Sequence, residues 1–143
     1  MMANLDTALK IAVEAHTGQV DKVGQPYILH VLRVMSKVAT PEEMMVAVLH
    51  DVVEDTDITI DNLREFGFSD EVIDAVDVIT KRDGDNYDNY LARVSANVIA
   101  RQVKLADLED NMDFRRGLEP SDKLYERYEK YHKAWRFLMG LEA

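Results

Sequence analysis

The stretch Thr40–Asp55 reads TPEEMMVAVLHDVVED. Its first four residues announce a helix. Thr40 is placed to cap, Pro41 suits the first helical position, and Glu43, three residues after the cap, completes a capping box. The run MMVAVL is apolar enough to be an interior helix. Then the character changes: His50, Asp51, Glu54, Asp55 and Asp57 bring five ionisable groups within eight residues. On one continuous helix His50 would share a face with Glu54, and Asp51 with Asp55. The adjacent His50 and Asp51 would diverge by about 100°. Burying such charges without partners is costly. Either the helix turns outward to water here, or the charges share a buried partner such as a metal ion.

Working outward, the rest of the chain gives helix signals and almost no strand signals. Leu5, Leu9, Ala12 and Val13 recur at helical spacing over 5–15, and Gly18 is placed to end that helix. GQVDKVGQP is a loop. Pro26 fits the first turn of a second helix, YILHVLRVMSKVA. A short helix runs from Thr59 or Ile60 to near Gly67. Ser69 caps DEVIDAVDVITK, with Asp70 and Glu71 well placed against the helix dipole. Tyr87 to Val94, Asn97 to Asp110 and Ser121 to Leu138 complete the set. The expectation is one all-α domain over residues 1–143, a bundle of six to eight helices.

Composition narrows the function. Hydrophobic residues are 47% and charged ones 31%, as in globular proteins. With no cysteine, a thiol nucleophile and a thiolate metal site are excluded. Any metal must be held by His, Asp, Glu or backbone oxygen, which favours Mn, Mg, Fe or Zn. A net charge of −10, from 17 Lys and Arg against 27 Asp and Glu, repels phosphate backbones at long range. Extended nucleic acid is therefore disfavoured, whereas a small anionic substrate remains compatible with a pocket whose local field a cation reverses. No signal peptide or membrane-spanning run is evident, so a cytoplasmic location is expected. The seven methionines suit core filling, and an exposed methionine patch would suit a homodimer.

Two further residues sit in apolar helical settings: His30 in PYILHVLRV and Asp107 in VIARQVKLADLEDNM. Alone, His30 reads as a core histidine and Asp107 as the partner of a nearby Lys or Arg. Together with His50 and Asp51 they offer two imidazoles and two carboxylates, a reasonable ligand set for a divalent transition metal.

These residues resemble the HD superfamily of metal-dependent phosphohydrolases. AHTGQVDKVGQPYILH, LHDVVEDT and VKLADLEDNM are similar, in that order, to three segments of the alarmone (ppGpp) hydrolase domain of RelA/SpoT proteins and their small stand-alone relatives. The resemblance covers about residues 12–112. It implies that His30, His50, Asp51 and Asp107 hold a divalent metal, usually Mn²⁺ in that family. It implies catalytic roles for Glu54 and Asp55 near the water and the scissile phosphate. It implies substrate contacts from Lys22 and Asn111, and a small nucleotide as substrate.

The chain also departs from the family pattern. Asp21 stands where an Arg precedes Lys22, Val31 where a Pro follows the ligand His, Leu108 where an Arg is usual, and Asp110 where a His or similar residue is usual. The pocket rim is expected to be more acidic than in the family. The expected activity is therefore that of a 3′-pyrophosphohydrolase of guanosine-3′,5′-bis(diphosphate) type. The alternatives are hydrolysis of a different nucleotide phosphoester, favoured by Asp21 and Leu108, and a metal-stabilised binding domain without catalysis. His16 reads as structural, near the GQVDKVG loop. KRDGDNYDNY reads either as a substrate loop, with Lys81, Arg82 and Tyr87 meeting phosphates, or as a solvated loop. Tyr128, Tyr131, Trp135 and Leu138 form a stripe suited to packing.

Overall fold

The structure, a computed structural model, describes residues 2–141. Among them there are nine α-helical segments and no named strand: α1 Leu5–Ala15, α2 Ile28–Ser36, α3 Pro41–Leu49, α4 Val52–Asp55, α5 Ile60–Glu65, α6 Asp70–Ile79, α7 Tyr87–Ser95, α8 Val98–Asn111 and α9 Asp122–Leu138, with a 3₁₀ turn at Phe114–Arg116. The four-residue α4 continues α3 after a break, so α3 and α4 can be taken as one bent unit. The bundle then has eight helices, inside the expected range.

Local chemistry accounts for the helix starts. Thr40 and Glu43 make the reciprocal capping box, with Pro41 at the first turn. Thr59 caps α5, Ser69 caps α6 and Ser121 caps α9, each accepting a backbone N–H bond three residues on. Asn86 and Asn97 do the same for α7 and α8. Pro26 departs from expectation. It lies outside α2, in an isolated antiparallel bridge with Val20 that closes the 20–26 loop, and α2 begins at Ile28.

The core explains why α3 carries apolar residues on all sides. α3 packs against α1, α2, α6 and α8, and Val46, Ala47, Val48 and Leu49 are completely buried. The second inner helix is α8, which meets α2, α3, α6, α7 and α9. Trp135 and Tyr131 of α9 pack on this core, and Leu138 is buried, as the stripe suggested. Where α2, the α3–α4 bend and α8 converge, the interior turns from apolar to ionisable.

Candidate metal centre and its cavity

The bend between α3 and α4 is the first determinant of the site. The helix does not run through HDVVED: His50 caps α3 and Asp51 caps α4. Nδ1 of His50 turns back onto the Ala47 carbonyl, 2.5 Å away, which satisfies one of the helix-end carbonyls. That bond makes Nδ1 the N–H donor and leaves Nε2 with a lone pair facing inward. His30, near the start of α2, is oriented in the same way from another direction. Its Nδ1 lies 2.6 Å from Oδ2 of Asp110, leaving Nε2 inward.

The two Nε2 atoms meet Asp107 of α8. Oδ1 of Asp107 is 3.0 Å from Nε2 of His30 and 3.4 Å from Nε2 of His50. One ligand atom from each of His30, His50 and Asp107 falls within a 4.8 Å cluster, and all three residues are buried. Asp51 adjoins them, with Oδ2 3.1 Å from Nε2 of His50; that oxygen also accepts the hydroxyl of Tyr27. Donors about 2.1 Å from one ion and at right angles to each other lie about 3 Å apart. The observed spacings have that scale, so the donor set fits a divalent cation held by nitrogen and oxygen.

The charges are arranged to suit a cation. Burial opposes ionisation of Asp107, but Lys104, 3.1 Å from Oδ2, and the two imidazoles overcome it and hold the carboxyl well below its usual range. Burial likewise opposes ionisation of Asp51, yet His50 pulls its pKa down to about 2. Conversely, burial disfavours the imidazolium of His50, and Asp51 with Asp107 more than compensates, so its proton affinity is raised. His30 is raised too, through Asp107 and Asp110 against burial. Carboxylates that attract protons onto these imidazoles would attract a metal cation to the same point.

The remaining expected residues divide between two neighbouring hollows. A polar cavity of about 190 Å³ opens beside the cluster and is lined by His50, Asp51, Asp107, Glu54, Lys81 and Tyr90 among others. Glu54 accepts the Lys81 backbone N–H at 2.6 Å, and burial raises its pKa. Lys22 lies in an adjoining hollow of about 170 Å³. Asn111, Tyr27 and Tyr131 line both hollows. Asn111 donates to Oδ1 of Asp107 at 3.4 Å. Asp55 is the expected residue that does not join: it lines neither hollow and instead accepts from Nε2 of Gln19 at 3.2 Å. Gln19 in turn bonds Nδ1 of His16 at 2.8 Å, fixing that buried histidine to the loop.

The expectation of an acidic rim is overturned. Asp110 is not at a rim; it is completely buried and orients His30 while pairing with Arg33 at 2.8 Å. Asp21 accepts the N–H groups of Val23 and Gln25 and pairs with Arg116 at 3.2 Å. The Arg116 guanidinium also lies 3.4 Å from Asp110 and donates to Asn111 at 3.1 Å. Both acids are thus neutralised. Leu108 is completely buried and belongs to the apolar core. Arg82 pairs with Asp77 and is not among the cavity residues.

Four contributors were not singled out from the sequence: Tyr27, Arg33, Lys104 and Arg116. Three stand one helical turn from a candidate ligand, Tyr27 and Arg33 flanking His30 and Lys104 preceding Asp107, so helical spacing could have found them. Arg116 lies beyond α8, and no local signal marks it.

Over much of its length the chain is similar to proteins of known name. It is 34% identical over 129 residues to the guanosine-3′,5′-bis(diphosphate) 3′-pyrophosphohydrolase of Haemophilus influenzae, covering 79% of this chain and 19% of that protein. It is 34% identical over 118 residues to the protein of that name from Aquifex aeolicus, covering 76% of this chain and 17% of that one. It is 29% identical over 134 residues to the bifunctional (p)ppGpp synthase/hydrolase SpoT of Escherichia coli, covering 83% and 19%. The chain thus spans about a fifth of the length of these relatives. Among solved structures it is similar to a metazoan SpoT ortholog described as hydrolysing ppGpp, with a TM-score of 0.79 and 25% identity over all of this chain and 89% of that one. No protein-family model matches.

Proposed function

We propose that this chain, which belongs with the SpoT-related proteins it resembles, is an HD-domain phosphohydrolase that hydrolyses a nucleotide carrying a diphosphate ester, of the guanosine-3′,5′-bis(diphosphate) kind. The observation that supports this most is the convergence of His30, His50 and Asp107 within 4.8 Å, beside a cavity that also contains Glu54. A divalent cation held by these three with Asp51, manganese by family resemblance, would supply a Lewis acid for a phosphoryl oxygen and acidify a water.

The side chains do the rest. Asp110 and the Ala47 carbonyl hold the imidazoles so that Nε2 of each turns toward Oδ1 of Asp107 and would be free to hold the cation. The Lys81 amide fixes one oxygen of Glu54, leaving the other to take the proton of an attacking water, and its raised pKa makes it a stronger base. Water attack at the phosphorus joined to the sugar oxygen releases diphosphate, and the sugar oxygen leaves with a proton. Asp55 supports the Gln19–His16 loop contact rather than the water. Asn111 and Lys22 face the nucleotide from the adjoining hollow.

A second reading has its own observation. Asp21 stands where the family pattern has an Arg, and a carboxylate held by its loop and by Arg116 cannot stack on a guanine as a guanidinium can. A different base on the same phosphate chemistry is accordingly the alternative substrate. The test is manganese-dependent hydrolysis of guanosine-3′,5′-bis(diphosphate) beside other 3′- and 5′-phosphorylated nucleotides, by wild type and Asp51→Ala. Loss in the variant is expected; equal turnover by both on every nucleotide would refute the phosphohydrolase reading. A preference for a non-guanine base would select the alternative.

A further inference from the structure

The last turn of α6 carries no basic side chain. A helix dipole nevertheless places negative charge at that end, where the last four carbonyls have no partner within the helix. In the structure none of the four is left open. The Val76 carbonyl accepts the Thr80 hydroxyl at 2.6 Å, and that of Asp77 accepts the Arg82 guanidinium at 3.3 Å. The Val78 carbonyl accepts Nε of Arg93 at 3.1 Å, and the Ile79 carbonyl accepts the hydroxyl of Tyr90 at 2.7 Å. Thr80, the residue that ends the helix, offers its own carbonyl to Nη2 of Arg93 at 3.0 Å. A cation for this helix end thus arrives from α7, thirteen residues beyond Thr80.

Arg93 is itself held in one orientation. Its Nη1 and Nη2 meet the two oxygens of Asp85 at 3.2 and 3.1 Å, a bidentate pair. Its guanidinium lies 5.4 Å from the centroid of the Tyr90 ring. Asp85 also accepts the Arg82 N–H at 2.8 Å, which closes the turn between them. Arg93 therefore ties the end of α6 to α7 and to the turn that joins them, and it does so without lining the polar cavity. Between its anchors at Thr80 and Asp85 lies Lys81. The Lys81 backbone N–H, 2.6 Å from Oε1, is the one hydrogen-bond donor to Glu54 among the described residues.

We infer that Arg93 positions the carboxylate of Glu54 through a single peptide unit. The Thr80 carbonyl and the Lys81 N–H belong to one planar trans peptide and point opposite ways. Arg93 grips one end of it, and Glu54 binds the other. The guanidinium also draws electron density toward the Thr80 oxygen, which makes the Lys81 N–H a stronger donor. One oxygen of Glu54 is thereby pinned, and the second is left for the water. This rests on the proposed hydrolysis, in which Glu54 is the base, and adds to it a residue that acts from behind the cavity. Lysine would not serve at position 93, because it has no planar fork to meet two carbonyls and a carboxylate together.

The test is steady-state hydrolysis of guanosine-3′,5′-bis(diphosphate) by the manganese-loaded full chain. Arg93→Lys should lower kcat about tenfold, the scale of one lost hydrogen bond, with KM and manganese content within about twofold of wild type. In a Glu54→Gln background Arg93→Lys should cost nothing further, because its effect passes through that carboxylate. Arg64→Gln, which removes an exposed arginine paired with Asp61 on α5, controls for surface charge and should turn over as wild type. A second readout needs no turnover: hydrogen exchange of the Lys81 amide. It should quicken about tenfold in Arg93→Lys and in the reference variant Glu54→Ala, while amides of α3 and α8 keep their wild-type rates. Where Arg93→Lys does not fold, Asp85→Asn, which loosens the guanidinium from its other side, carries the same comparisons with a smaller effect. Wild-type kcat in the folded variant overturns the assignment. So does a loss that adds in full to that of Glu54→Gln, and so does unchanged exchange at Lys81. If wild type hydrolyses no nucleotide while exchange at Lys81 still depends on Arg93 and Glu54, the peptide link stands and the proposed reaction is what fails.

Discussion

Asp110 and His30, eighty residues apart in the chain, meet at 2.6 Å in the interior, carboxylate to Nδ1, with the carboxylate completely closed to solvent. The pair decides which imidazole nitrogen is free for a cation. Replacing Asp110 with Asn keeps the volume but weakens that orientation. Manganese affinity is expected to fall about 10–100-fold, the usual loss when such a supporting partner is removed. Metal titration checks it, and unchanged affinity would mean that His30 is oriented by packing alone.

The same carboxylate gives a pH signature. Burial works against its ionisation, but His30 and Arg33 hold its pKa at about 2, below the ordinary 3.8. A depressed folded-state pKa contributes stability above about pH 4 that is lost as pH falls toward 2. Urea denaturation of wild type and Asp110→Asn at intervals from pH 5 to pH 2.5 should show the difference between them shrinking over that window. A constant difference would mean that Asp110 titrates normally.

Glu54→Gln should retain the metal and lose turnover by about 10²–10⁴, the range for a missing general base. In wild type, activity should fall on acidification at a pH above the ordinary range of a glutamate, because burial raises this one. Metal content and kcat are the paired readouts. Loss of metal in the variant would move Glu54 into the coordination set.

Leu108 tests whether its departure from the family pattern concerns the pocket or the core. It is completely buried, so Leu108→Ala should cost about 2–5 kcal/mol of stability through the cavity left behind. Base preference should stay the same. Denaturant midpoints and the nucleotide panel measured together would separate the two; altered preference without loss of stability would place Leu108 in the pocket.

The helices were legible because their signals are local. Thr40 with Glu43, Ser69 and Ser121 each cap within three residues of themselves, and no distant contact is needed to read them. The gathering of His30, His50 and Asp107 was suggested by residue type and apolar setting and sharpened by resemblance, since nothing in three separate helices states that their faces meet. The break after Leu49 was hidden for a similar reason. It depends on an imidazole preferring the Ala47 carbonyl and on the crossing of α3 with α8. Asp110 was misjudged because its position on α8 says it lies near the site but not that Arg33 and Arg116 close over it. The bond from Gln19 to Asp55 was hidden in the same way, because its partner lies 36 residues away.

One guanidinium carries a consequence of its own. Arg116 holds Asp21 in the entrance loop and Asp110 beneath the centre, so the doorway and the hearth share a single counter-charge. Substituting Asp21 would not simply reshape the entrance: it would release Arg116 to lean further on Asp110 and so change how firmly His30 is aimed. The set of the entrance loop and the aim of His30 therefore share one counter-charge, and a change at Asp21 reaches Asp110 through it.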